Sequence, residues 1–354
     1  MKSVVSCALV ILCTAACVKE LPPPAPAPAP APEPQPVDLG GEDGGLQVLG
    51  NPDGSIQVGG VIYDFHLNGG GRVAQTADVQ ESVFVGPFAR VEGHARLAGK
   101  VKIKDRVIIK DNVVVYGSDV VIIGTSVLSG EAQISGNTQI SGNVQISGKC
   151  RIYGNAQISD NAQVSGEARV YGNTQISGSA QISGNAKVYG RAKIMEQAQV
   201  RDHARVYGDA VILGKTVVDD HIQVTGNAQA SGQARLSGAA LVRGHARVEG
   251  EAAIGGEAYL AENAFVGGSA QVFGKAVILG NAHILGQAKV SENAVLRGNP
   301  RVSGTVHVRG TSFLCQGTQK KGDLTEHYDT KCPVPVIPES EPATPVVAPV
   351  SAGS

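Results

Sequence analysis

One short repeat dominates this chain and limits what it can fold into. Every sixth residue from Leu128 to Leu314 is Val, Ile or Leu at 31 of 32 places, with Ala230 as the exception. Gly follows two places later at 25 of 31 positions, and Ala four places later at 22 of 31. A segment Ala-x-Ile suits a short strand with one apolar face, and the Gly and polar residues after it suit a turn. A strand this short buries its apolar face only by stacking on copies of itself, so the repeat predicts a solenoid.

The same repeat continues upstream, one residue out of phase, from Val73 to Val115. A single inserted residue at Ser118 or Asp119 would account for the shift. The repeat region therefore covers residues 73–314, which is roughly 40 hexads. Aromatic residues make up only 4% of the chain, which fits an interior built from small and branched aliphatic side chains.

The unit of aliphatic, polar, Gly, polar, Ala and polar residues resembles the hexapeptide-repeat family, and residues 70–79 resemble a start of such repeats. The resemblance implies an all-β fold, a parallel β-helix solenoid with three hexads, roughly 18 residues, in each coil. The repeat region would then hold about 13 coils. We expect a left-handed coil from the family likeness, although a right-handed helix, as in bactofilin-like polymers, can have the same coil length.

Four tyrosines test this winding, because each lies three hexads after the one before it. Each has a basic residue two places before it, and Tyr116 falls in the same column once the insertion is counted. Three hexads per coil would stack the rings about 4.8 Å apart. The resulting candidate ligand stripe could bind a glycan or an anionic polymer, or the rings could simply stabilise neighbouring coils. The stripe consists of Tyr153, Tyr171, Tyr189, Tyr207, Arg151, Arg169, Lys187 and Arg205.

The N-terminus predicts export. Residues 4–16 form an apolar run that is too short to span a bilayer but suits a signal peptide, here assigned to residues 1–16. Thr14-Ala15-Ala16-Cys17 resembles a bacterial lipobox, except that Thr14 stands where Leu is usual. The resemblance implies a lipid on Cys17 and a protein of the outer membrane or cell surface that faces the periplasm or the exterior. An ordinary cleaved signal or an uncleaved anchor are the alternatives.

Segments of different composition flank the repeats. Residues 17–37 are rich in Pro and Ala and predict an extended linker. Residues 38–72 predict an N-terminal cap, with a hairpin turn at Asn51-Pro52-Asp53-Gly54. In an exported protein, residues 315–332 predict a C-terminal cap closed by a disulfide between Cys315 and Cys332, followed by a disordered tail at 333–354. Cys150 occupies the small-residue column and is expected to be a buried free thiol.

The sequence favours a structural role over chemistry. Acyltransferases and γ-type carbonic anhydrases belong to the hexapeptide-repeat family, and the resemblance implies histidines at subunit boundaries. From Leu128 to Leu314 the phase never slips, so the repeats extrude no loop. The spacing of Asp202, His203, Asp220 and His221 offers a weak metal site, or simply a solvated corner.

Three hypotheses follow. The preferred one is a rigid, non-catalytic envelope scaffold without a cofactor, anchored to the membrane and capable of self-association. The second is a module that binds cell-wall polysaccharide or another polyanion, and the third is an enzyme. A net charge of -1 argues against a nucleic-acid partner.

Overall fold

The chain winds into a parallel β-solenoid of about 14 turns with about 18 residues in each turn. The computed structural model describes residues 48–51, 53–319 and 322–329, which contain 44 short strands and no helix. The all-β, three-hexad fold predicted from the repeat is therefore confirmed. The left-handed sense of the coil remains a prediction from the hexapeptide pattern. Within the described ranges no helix has the length and apolarity needed to cross a membrane.

The strands are two to nine residues long. The first four, β1 to β4, are Val48–Gly50, Ile56–Val58, Val61–Phe65 and Arg72–Ala74. The next eighteen, β5 to β22, are Asp78–Val79, Phe84–Val85, Arg90–Val91, Arg96–Ile103, Ile108–Ile109, Val114–Ile122, Val127–Leu128, Gln133–Gly136, Gln139–Ile140, Gln145–Ile146, Arg151–Gly154, Gln157–Ile158, Gln163–Val164, Arg169–Gly172, Gln175–Ile176, Gln181–Ile182, Lys187–Val188 and Lys193–Ile194. The remaining strands, β23 to β44, are Gln199–Val200, Arg205–Val206, Val211–Ile212, Val217–Val218, Gln223–Val224, Gln229–Ala230, Arg235–Leu236, Leu241–Val242, Arg247–Val248, Ala253–Ile254, Tyr259–Leu260, Phe265–Val266, Gln271–Val272, Val277–Ile278, His283–Ile284, Lys289–Val290, Val295–Leu296, Arg301–Val302, His307–Arg309, Phe313–Leu314, Thr318–Gln319 and Asp323–Thr325.

Three faces surround the solenoid, and on each one a strand pairs in parallel with the strand one coil later. Gln145 pairs with Gln163 on the first face, Arg151 with Arg169 on the second, and Gln157 with Gln175 on the third. Residues one coil apart therefore form columns along the rod, and all residues of a column face the same way, inward or outward.

The aliphatic and small-residue columns fill the interior. Ile134, Ile152 and Val170 are completely buried, and so is Ala230, the one exception to the aliphatic series. Cys150 is buried in the small-residue column, as expected, and burial raises the pKa of its thiol to about 12. The thiol therefore stays protonated at neutral pH.

Three threonines also occupy the small-residue column. The hydroxyls of Thr138 and Thr216 donate hydrogen bonds of 2.7 Å to the carbonyls of Ser135 and Leu213, three residues earlier. Thr174 is equally buried, yet its Oγ1 has no hydrogen-bond partner among the described residues.

The predicted insertion lies within β10, where this long strand passes from the second face to the third. Gly117 pairs with Gly99, but Val120 pairs with Val101, so the pairing register shifts by a single position between them. Ser118 and Asp119 together occupy the space of one residue, and the interior columns continue without a break.

Glycine is needed at the corners because the backbone there turns with a positive φ. At Gly172, with φ of 80°, an added Cβ would come within 2.8 Å of the Gly190 carbonyl oxygen in the next coil. Eight acidic residues occupy equivalent corner positions with φ from 54° to 63°: Asp105, Asp111, Asp160, Glu196, Asp202, Asp220, Glu262 and Glu292.

These acidic side chains compensate for the unfavourable backbone conformation by hydrogen bonding. Oδ2 of Asp160 accepts a 2.8 Å hydrogen bond from the amide of Gly178, one coil later. Seven of the eight make this type of bond. A left-handed backbone is unusual for Glu and Asp, and the charge-assisted bond stabilises it.

The two ends differ from the central coils. At the N-terminal end, β1, β2 and β3 form an antiparallel meander that continues onto β4, and the turn between β1 and β2 includes a 3.0 Å bond from the Gly54 amide to the Asn51 carbonyl. The predicted turn residue Pro52 lies outside the described residues.

The winding continues past Leu314 with shorter coils. Arg301 pairs with Thr318, His307 with Asp323, and Phe313 with Tyr328, so the sequence separation between partners decreases at each step. Cys315 is disulfide-bonded. Its predicted partner, Cys332, lies outside the described residues and the pairing stays a prediction, as do the assignments for residues 1–47 and 333–354.

Candidate functional site: a basic and aromatic face

The predicted ligand stripe lies on the second face. Along β15, Arg151 points outward, Ile152 is buried, and Tyr153 is partly exposed beside the corner. The register repeats this arrangement one coil later, where Arg151 pairs with Arg169 and Tyr153 with Tyr171. Strand alternation and the three-hexad coil thus place the basic residues and the tyrosines in two adjacent columns.

The four tyrosines form a continuous stack. Successive ring centroids of Tyr153, Tyr171, Tyr189 and Tyr207 are 4.8, 4.9 and 4.8 Å apart, and successive planes differ by 2° to 3°. The stacking predicted from the spacing of the tyrosines is present. Tyr116 belongs to the same column, but Ser135 separates it from the stack.

Burial within the stack alters the chemistry of the phenols. Burial, with smaller contributions from Tyr207 and Tyr171, raises the pKa of Tyr189 to about 12. Burial also raises the pKa of Tyr153 and Tyr171. At the end of the stack, the Tyr207 hydroxyl donates a 3.2 Å hydrogen bond to Oε1 of Gln223. The raised pKa values keep the phenols of Tyr153, Tyr171 and Tyr189 neutral at physiological pH.

Arg151, Arg169, Lys187 and Arg205 form what we call the cation ladder. They stand in register on four successive coils. Among the described residues none of the four makes an ion pair with a carboxylate. Burial, followed by repulsion from Arg205 and Arg169, lowers the pKa of Lys187. Like charges directly opposite each other destabilise a sheet, so the ladder raises the energy of the free protein.

A shallow groove runs beside the cation ladder. Its volume is about 490 Å³, and its charged and imidazole side chains are Arg169, Lys187, Arg205, His203, His221 and one acid, Glu167. The two imidazole rings are stacked, with centroids 4.8 Å apart and planes 2° apart. The groove therefore combines three cations and one carboxylate with two imidazoles that can donate hydrogen bonds, and the cations outnumber the acid.

The other predicted metal candidates are engaged differently. Oδ2 of Asp220 accepts a 2.9 Å hydrogen bond from the Gly238 amide, and a carboxylate oxygen of Asp202 lies 3.9 Å from Nε of Arg201. In residues 48–51, 53–319 and 322–329, no group of three or more His, Cys, Asp or Glu side chains could hold a metal ion.

Several contacts were not anticipated from the sequence. Hydrogen bonds between side-chain amides along the rod join asparagines, such as Asn137 to Asn155 at 3.1 Å and Asn155 to Asn173 at 2.8 Å. The guanidinium-over-ring contact in the described part of the chain joins Arg243 and Tyr259 at 5.8 Å, outside the predicted stripe. The sequence signal for the asparagine hydrogen bonds was that Asn recurs once per coil at a corner position.

In the second half of this face, the column of the cation ladder becomes apolar. The column that carries the cation ladder continues into Leu241, Tyr259, Val277, Val295 and Phe313, which we call the apolar column. Beside it, Leu279 is buried although it lies on the outer side of the coil. One face of the rod thus carries two different surfaces in succession.

Comparison with known proteins identifies one related family over part of the chain. Residues 126–229 match the family model described as Bactofilin, polymer-forming cytoskeletal. The matched segment contains the whole tyrosine stack and cation ladder. No protein among the curated sequences matches the chain. The chain is thus a parallel β-solenoid, and its residues 126–229 are similar to a polymer-forming cytoskeletal family.

Proposed function

We propose that the protein is a non-catalytic structural rod that assembles with further copies of itself. The observation that carries the proposal is the match of residues 126–229 to a polymer-forming cytoskeletal family, within an uninterrupted solenoid. The end of a β-solenoid is a sheet edge, and such edges are natural surfaces for pairing between chains.

The N-terminal end offers the better contact surface. Most of the strongly exposed large apolar side chains in the described residues occur in β3 and the first coil. Leu67 is 88% exposed and Phe88 is 69% exposed, and Val61, Ile62 and Phe65 are exposed as well. Exposed apolar side chains concentrated in one region are typical of a protein contact surface.

Electron microscopy and light scattering on the purified full chain test this proposal. We expect concentration-dependent filaments or oligomers, which the double variant Leu67→Glu/Phe88→Glu abolishes while circular dichroism stays unchanged. The matched control Gln157→Glu/Gln229→Glu adds the same charge to exposed positions of the third face and should assemble normally. A wild-type protein that remains monomeric at every concentration would overturn the proposal.

We further propose that the rod is held at a membrane in the bacterial envelope. The support comes from the sequence alone: the apolar run, the lipobox-like residues before Cys17, and the Pro/Ala-rich linker. The word cytoskeletal in the family description instead refers to structures inside cells, so the compartment needs its own experiment.

Mass spectrometry and cell fractionation distinguish the two compartments. We expect a mature chain that starts at Cys17 and carries acyl groups, recovered with membranes. Cys17→Ser should leave the chain unacylated and release it from the membrane fraction. Recovery of wild-type protein from the cytoplasm with residues 1–16 intact would rule out export without affecting the assembly proposal.

A further inference from the structure

The cation ladder places four like charges in register on successive coils. Several exposed cations pair with an acid one coil away, such as Arg191 with Asp209 at 2.6 Å and Arg201 with Asp219 at 2.8 Å. Lys275 and Glu257 do the same at 3.6 Å. The coil therefore provides a simple means of neutralising a cation, and four successive coils of the second face do not use it.

A row of like charges at the coil repeat has an energetic cost that an unliganded rod does not recover. Local arrangements that disfavour the free protein are expected where a ligand restores the balance. The cation ladder extends over four coils, and the groove beside it adds His203 and His221. An elongated ligand with several anionic groups matches this row better than a single small anion.

The tyrosine stack limits how that ligand can be recognised. Within the stack, each inner ring lies 4.8 to 4.9 Å from its neighbours and nearly parallel to them. The faces of Tyr171 and Tyr189 are therefore occupied, and only ring edges are available to a ligand. Stacking of a sugar or a nucleobase on these rings is blocked, so affinity must come from charge and hydrogen bonds.

We propose that the cation ladder and its groove bind a linear acidic polysaccharide that lies parallel to the rod axis. One carboxylate on each sugar would meet guanidinium or ammonium groups that recur at the coil spacing of about 4.8 Å. The hydroxyl groups of the sugars would accept or donate hydrogen bonds at His203 and His221. This proposal concerns the side of the rod and does not depend on assembly through its ends.

Titration calorimetry with polygalacturonate tests the inference on the purified full chain. The key variant is Arg169→Gln/Lys187→Gln/Arg205→Gln, because Gln133 and Gln223 already occupy the same column. The matched control, Arg235→Gln/Arg247→Gln/Arg301→Gln, removes the same charge from equivalent outward positions on the first and third faces. Both variants should keep the circular dichroism spectrum of the wild type.

We expect the ladder variant to weaken binding of polygalacturonate about ten-fold or more, because three exposed charge contacts are lost, and the control to change it less than about two-fold. Added salt should weaken binding to the wild type, and a neutral polysaccharide of the same length should not bind. Equal losses in both variants, binding of the neutral polymer, or tighter binding of single-stranded DNA or polyphosphate would overturn the assignment.

Discussion

The second face of the rod divides into two halves that share an interior and differ on the outside. Ile152 and Ile278 occupy the same buried column, and both are completely inaccessible to solvent. On the outside, the coils from Arg151 to Arg205 carry the cation ladder, whereas the coils from Leu241 onward carry the apolar column. The winding thus depends on the inward columns, and the outward column can change without changing the fold.

The largest expected effect tests whether the shared interior is packed equally well in both halves. Ile152→Ala and Ile278→Ala should each lower the free energy of unfolding by about 2–5 kcal/mol, because each leaves a cavity in a closely packed column. Urea denaturation followed by circular dichroism measures both. A large effect in one half and a negligible effect in the other would show that the shared interior is not equally packed.

The corners give the next largest effect. Gly172→Ala, in the basic half, and Gly244→Ala, in the apolar half, place a Cβ at positive φ and within 2.8 Å of the next coil. Each should cost roughly 1–3 kcal/mol in the same denaturation experiment.

An acidic residue should be tolerated better at the same corner. Gly172→Asp is expected to lower the free energy of unfolding less than Gly172→Ala. Its carboxylate can accept a hydrogen bond from the Gly190 amide, as the carboxylate of Asp160 does from the Gly178 amide. If aspartate proved no better than alanine, hydrogen bonding would not be what permits acids at these corners.

A smaller effect separates two threonines of the small-residue column, one inside the basic half and one in the coil before it. Thr174→Val should raise stability by about 1 kcal/mol, because it removes a buried hydroxyl that has no partner among the described residues. Thr138→Val should instead lower stability by about 1 kcal/mol, because its hydroxyl donates to the Ser135 carbonyl. Thermal unfolding of the two variants should shift in opposite directions, and parallel shifts would contradict the assignment.

The smallest effect concerns alkaline pH and the tyrosine stack. The pKa of Tyr189 is raised from 10.0 to about 12, so the neutral phenol is favoured in the folded state. Its contribution to stability is complete below pH 10 and is lost as the pH rises toward 12. Tyr189→Phe should weaken this alkaline loss, which denaturation midpoints between pH 9 and 12 would measure; an unchanged pH profile would exclude Tyr189 as its source.

Nearly the whole winding could be predicted from the sequence, because period and burial are linked directly. The aliphatic series predicted which residues fill the interior. The spacing of Tyr153 and Tyr171 predicted the coil length, and the phase shift predicted the insertion beside Ser118. The chain's shortened coils beyond Leu314 escaped prediction because their period changes at every corner.

Side-chain partners were harder to predict than backbone positions. Asp160 replaces Gly at a corner, but only the geometry shows that its carboxylate bonds to the next coil. Asp220 makes the same type of bond to Gly238, a backbone role that its spacing with His221 does not reveal. Gln157 and Gln175 recur as regularly as Asn155 and Asn173. Only the two asparagines are joined by a side-chain hydrogen bond along the rod, because their shorter side chains lie at the corner.

The extra residue at Ser118 and Asp119 has a consequence for how such a gene can change. A codon gained where a strand passes from one face to the next is absorbed locally, as in β10. A codon gained between paired positions on one face would reverse the inward and outward order of the residues that follow it in that strand. Duplication of a segment of about 18 codons would lengthen the rod by one coil and keep each surface column aligned. Length and surface chemistry are therefore traits that selection can adjust separately.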